Sequence, residues 1–130
     1  MLLLDTDALS VLARESEDAL FLRKLITTLN DPDVRVSVIT FEEQMRGWLA
    51  FISKAKTVAD LTNAYGRLQE LISSYAPIPV LPFDSEAANY WRSYRKQFRR
   101  LGDMDLKIAA IARANGATLI TGNTTFFATS

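Results

Sequence analysis

The chain contains neither histidine nor cysteine. The commonest general base and transition-metal ligand is therefore missing, along with any disulfide, thiolate zinc site or cysteine nucleophile. What remains is a scatter of acids at telling places. Asp5 closes the apolar run LLL ahead of Thr6 and Asp7, Glu42 and Glu43 follow the run VRVSVIT, and Asp103 and Asp105 open the segment GDMDLKIAAIARAN. Several carboxylates gathered in one pocket repel one another and resist full ionisation without a cation. Ligation by oxygen alone favours Mg²⁺ or Mn²⁺ over softer metals. One such ion, or two about 4 Å apart, activates water and stabilises the leaving oxygen in phosphodiester cleavage. The competing reading is structural. Aspartate in a first helical turn caps the helix and complements its dipole, and Thr40 with Glu43 has the spacing of a capping box.

The pattern around these acids says which elements carry them. Leu2-Leu3-Leu4 is a short continuous apolar run, as expected of a strand buried on both faces. Residues 34–39 and 117–121 read as further buried strands, and 78–81, between Pro77 and Pro82, as a short one. Helical spacing marks a short helix at 8–12, then 18–29, 40–54, 58–75, 84–100 and 104–115. Asp84 and Asp103 are the expected caps of the last two, and Gly116 is placed to end the last in the left-handed conformation. Strands alternating with helices predict an α/β fold with a mainly parallel central sheet flanked by helices. The functional cleft of such a sheet lies outside the carboxyl ends of its strands. Three strands end there in polar residues: Asp5, Thr40 with Glu43 one turn on, and Asn123. A helix leading by a short loop into a parallel strand starts at that same edge, which brings Asp105 there. Asp5, Glu43, Asp105 and Asn123 then converge, given a sheet order that sets their strands side by side.

At 130 residues the chain is expected to form one domain, 1–130. Its net charge is zero, so attraction to a nucleic acid must be local. Arg92, Arg95, Lys96 and Arg99 form the one candidate stripe, beside Tyr90, Trp91, Tyr94 and Phe98. The stripe reads either as a phosphate-binding surface or as the solvated face of a core helix. Trp48 and Phe51 are candidate anchors for a protein partner, or core residues. No apolar run reaches membrane-spanning length, and the opening MLLLDTD is too short and acidic for a signal peptide, so the expected location is the cytoplasm.

Three stretches resemble PIN-domain ribonucleases, specifically the VapC-type toxins of bacterial toxin–antitoxin pairs. LLLDTDALS resembles the family's opening strand and first acid, VSVITFEEQMRG its Ile-Thr-x-x-Glu motif with Gly47 in register, and LGDMDLKIAAIARANGATLITGN its third motif. The resemblance covers nearly the whole chain. It implies an endoribonuclease dependent on Mg²⁺ or Mn²⁺, with Asp5, Glu43 and Asp105 as catalytic metal ligands and Thr6 and Asn123 as supporting polar groups. It also implies an RNA substrate, a cognate antitoxin seated near the site, and a homodimer. Two departures are visible. Phe126 stands where relatives usually carry a fourth acid, and the sequence stops at Ser130 where relatives continue for another strand or tail. Both predict weakened activity. Asp103 or Asp7 is then a candidate replacement acid. The alternative function is a PIN module that binds RNA or an antitoxin without cleaving.

Overall fold

In a computed structural model, which describes residues 1–122 and the backbone of 127–128, the short apolar runs pair as strands. Asn123 and Phe126 lie outside the described residues. The strands are β1 (Leu2–Leu4), β2 (Val34–Ser37), β3 (Val80–Leu81), β4 (Thr118–Ile120) and β5 (Phe127–Ala128). They form one sheet in the order β3-β2-β1-β4-β5. The first four are parallel, and β5 pairs antiparallel to β4 through Leu119 with Ala128 and Ile120 with Phe127. Sequence periodicity did not mark this short fifth strand.

Successive side chains of a strand point to opposite faces, and that alternation divides the core in two. Leu3, Ile39, Leu81 and Leu119 pack with Ile108 and Ile111 on one face. Leu2, Leu4, Val36 and Ile120 pack with Leu22, Leu71 and Tyr75 on the other. Both faces of β1 are therefore covered, which is why its run is apolar without alternation. The covering helices are α1 (Thr6–Leu12), α2 (Glu17–Leu29), α3 (Val38–Ser53), α4 (Val58–Tyr75), α5 (Ser85–Gln97) and α6 (Asp103–Ala114).

Most elements fall where periodicity places them, and α4 does so at both ends. Asp84 caps α5 as expected, its Oδ1 accepting from the Ala87 amide at 3.0 Å, and Gly116 has φ 62°. Two junctions differ. β2 stops at Ser37 rather than 39, and the Ser37 hydroxyl caps α3 by accepting from the Thr40 amide at 3.3 Å. Thr40 therefore lies inside the first turn, and the Thr40–Glu43 capping box does not form. Val38 and Ile39 read as strand because they are apolar and β-branched, yet Ile39 reaches the core from the helix. Similarly, α6 starts at Asp103, with Gly102 in the cap position and no side-chain cap. α5 ends at Gln97, short of residue 100.

Candidate active site

The chain steps from β1 to β2 and β3 on one side, then returns to β4 on the other. The order reverses between β1 and β4, the position at which parallel sheets open a crevice. Asp5 stands there. Its amide donates to the Ile120 carbonyl at 2.9 Å, and its Oδ1 accepts from the Ala8 amide at 2.7 Å and the Gly122 amide at 3.2 Å. One carboxylate thus caps α1 and ties the end of β1 to the end of β4.

Gly122 is required by this closeness, a role that sequence reading did not single out. A Cβ there would lie 2.4 Å from the Asp7 carbonyl carbon and 2.6 Å from the Ala8 nitrogen, both backbone atoms that cannot swing away. The only sequence signal was the glycine itself after a buried strand.

Burial raises the Asp5 pKa, opposed by the Ala8 and Gly122 amides and reinforced by the charges of Asp7 and Asp105. Asp105 lies in the first turn of α6, exposed, and its charge reaches Asp5 across the sequence. Glu43 sits in the second turn of α3, half-buried, where its Oε1 accepts from the Thr6 hydroxyl at 2.6 Å. The Thr6 and Thr40 hydroxyls are 3.1 Å apart, so α1 and α3 share a small polar cluster.

Asp103 is engaged elsewhere. Its carboxylate accepts from Trp91 Nε1 at 2.9 Å and pairs with Lys107 Nζ at 3.2 Å. The Trp91 bond and then Lys107 hold its pKa below the ordinary range, against some desolvation. Its charge is not among those acting on Asp5, whereas that of Asp7 is.

All the oxygens brought to this edge are hard donors, which suits Mg²⁺ or Mn²⁺. Among the described residues, no three acids stand close enough to hold a metal ion in this side-chain arrangement. Of the basic stripe, Arg95 and Arg99 line an open pocket of about 510 Å³ between α5 and α6, joined by Lys107. Arg92 and Lys96 are exposed on α5 outside it. Trp48 is half-buried against the core, its ring 5.7 Å from that of Phe51, which is exposed. Among the described residues, no helix is long and apolar enough to cross a membrane.

A four-stranded parallel arrangement with acids at its carboxyl edge defines a PIN-like α/β fold. The model of the PIN domain matches residues 2–130, and the chain belongs to that family, whose members are nucleases. Among solved structures it is similar to VapBC-5 from Mycobacterium tuberculosis, a member of the VapBC family of toxin–antitoxin systems. That match has 27% identity and a TM-score of 0.56, covering 92% of this chain and 82% of that one. It is similar to FitAcB from Neisseria gonorrhoeae at 28% identity and a TM-score of 0.61, covering 92% and 85%. A toxin–antitoxin complex from Klebsiella pneumoniae shares the fold at 23% identity and a TM-score of 0.66, covering 96% and 88%. No curated protein matches the chain.

Proposed function

We propose that the chain is a Mg²⁺- or Mn²⁺-dependent endoribonuclease that acts in the cytoplasm as the toxin of a toxin–antitoxin pair. The observation that carries this reading is the place of Asp5 at the point where the strand order reverses, with Glu43 bonded to the adjacent Thr6. Asp5, Glu43 and Asp105 would hold the ion, their side chains drawing together around it. A bound ion supplies an activated water and neutralises charge on the leaving oxygen. The chain's own groups do the rest. The Gly122 and Ala8 amides fix the Asp5 carboxylate, and Thr6 orients Glu43. Arg95 and Arg99, with Arg92 and Lys96 farther out, offset phosphate charge. Asn123 is a supporting group by its motif position.

The solved neighbours that are toxin–antitoxin systems support an antitoxin partner for this chain. Trp48 and Phe51 are its proposed anchors, and the resemblance supports a homodimer.

Purified protein with labelled RNA and Mn²⁺ tests the nuclease reading. Cleavage is expected, and Asp105→Asn should reduce it by more than the roughly 10–100-fold that loss of a ligand's supporting partner costs. Its melting temperature should be unchanged without metal. Wild-type cleavage by Asp105→Asn would overturn the assignment. The second reading, binding without cleavage, is favoured by the lack of a closed three-acid cluster among the described residues. Intact RNA binding with no cleavage at saturating Mn²⁺ would establish it.

A further inference from the structure

The pocket between α5 and α6 is not lined by Asp5, Glu43 or Asp105, and its chemistry differs from theirs. At about 510 Å³ it falls within the roughly 300–1,000 Å³ of small-ligand sites. One wall is apolar: Phe98 and Leu101 are 47% and 55% exposed at its mouth. The floor is the Trp91 ring, fixed by its bond to Asp103 and by edge-on contact with Phe83 at 5.9 Å. The rim is cationic. The Arg95 guanidinium lies 4.7 Å from the Trp91 ring centre and Lys107 Nζ 5.5 Å from it, and Arg99 lines the pocket from just past the end of α5. Among the described residues, Arg95 and Arg99 make no ion pair. The only acid in α5 is Glu86 in its first turn, and the one carboxylate lining the pocket, Asp103, pairs with Lys107 and also feels the charge of Arg95.

Apolar Phe98 and Leu101 beside Arg95 and Arg99, two cations outside any described ion pair, suit a ligand with a π face and an anionic link on either side. We propose that this pocket is a nucleobase subsite for single-stranded RNA. One unstacked base lies against Phe98 and Leu101, and its flanking phosphates lie on Arg95, Arg99 and Lys107. Asp103 is a positioning residue that holds Trp91 and Lys107 in place. The pocket shares Asp103 with the first turn of α6, so the strand leaving it passes toward Asp105. That last step rests on the nuclease reading. A duplex keeps its bases stacked and offers no face to such a wall.

The test is fluorescence anisotropy of a labelled, unstructured RNA in EDTA, where no metal-dependent cleavage occurs. Phe98→Ala should weaken binding about tenfold, the order expected for one stacked base, and Phe98→Trp should restore it. Arg95→Ala and Arg99→Ala should each lower the salt slope by about 0.7. An abasic position at one point in the RNA should reproduce the Phe98→Ala loss, and combining the two should add nothing further. Unchanged binding by a folded Phe98→Ala protein, indifference to abasic positions, or equal binding of duplex would each overturn the subsite. So would competition by an acidic peptide together with indifference to abasic positions. Repeating the assay with Mn²⁺ separates the two readings. Phe98-dependent binding without cleavage sinks the nuclease and supports the subsite. Cleavage indifferent to Phe98 and Arg95 sinks the subsite alone.

Discussion

Asp5 serves two masters. Its Oδ1 is a structural acceptor for two amides, while its charge is disfavoured by burial and by Asp7 and Asp105. Asparagine keeps the acceptor and removes the charge. Asp5→Asn should therefore melt no lower than wild type in EDTA, and it should lose the rise in melting temperature that Mn²⁺ gives the wild type. At a metal concentration of about 100 Kd that rise corresponds to roughly 2.7 kcal/mol. Calorimetric melting with and without Mn²⁺ checks both halves, and a wild-type curve indifferent to metal would count against any bound cation. Tyr75 makes a different prediction. Burial pushes its hydroxyl up to about 12, and it donates to Gln44 Oε1 at 2.6 Å. The unfolded phenol ionises first, near 10, so between there and about 12 the unfolded state binds fewer protons than the folded one. Stability must then fall as pH rises through that window. Tyr75→Phe should flatten the fall, as urea midpoints across the alkaline range would reveal. At this scale the sequence was readable where a position follows from a strand end: Asp5 stands at the end of β1, and its neighbour Thr6 donates to Glu43. Asp103 was misread because capping logic is local, whereas its partner Trp91 lies 12 positions away.

The junction of β2 with α3 decides where Glu43 points. Ser37 is fully buried and supplies the cap, so Ser37→Ala should lower stability by about 1 kcal/mol through loss of that hydrogen bond. It should also weaken Mn²⁺ binding, because a frayed first turn moves Thr40 and Glu43 relative to Thr6. Urea denaturation with a Mn²⁺ titration tests this, and a change in neither quantity would show that the turn is held by packing alone. The opposite junction is more severe. Gly122→Ala puts a methyl into the Asp7 and Ala8 backbone, an overpacking that should cost about 1–3 kcal/mol or more and displace Asp5. Sequence periodicity found the elements because amphipathic faces repeat. It misplaced β2 and α3 because the β-branched pair Val38-Ile39 favours a strand locally, whereas the Ser37 cap starts the helix there.

Across the whole molecule, the sheet divides the core into an α5–α6 side and an α1–α4 side. The α1–α4 side carries more unburied apolar surface, with Phe51 on α3 45% exposed and Val58 on α4 81% exposed. An antitoxin seated there by Phe51 and Trp48 should lose at least tenfold in affinity to Phe51→Asp while the protein stays folded, since aromatic anchors carry much of an interface's energy. Titration calorimetry with the cognate antitoxin measures it, and undiminished binding would move the interface elsewhere. The α/β class and the parallel sheet were legible because buried strands read as unbroken apolar runs. The strand order was not legible, since pairing is settled by which helices pack on which face.

The bond between Asp5 and Gly122 joins positions 117 apart. A ribosome makes proteins from the amino end, so Asp5 emerges 117 positions ahead of its anchor. β1, the sheet's central strand, waits equally long for β4. The acidic edge therefore cannot be assembled on a growing chain that still lacks β4. Any activity housed there begins only once residues 118–122 have emerged, and a product carrying Asp5, Glu43 and Asp105 but ending before β4 should be inert.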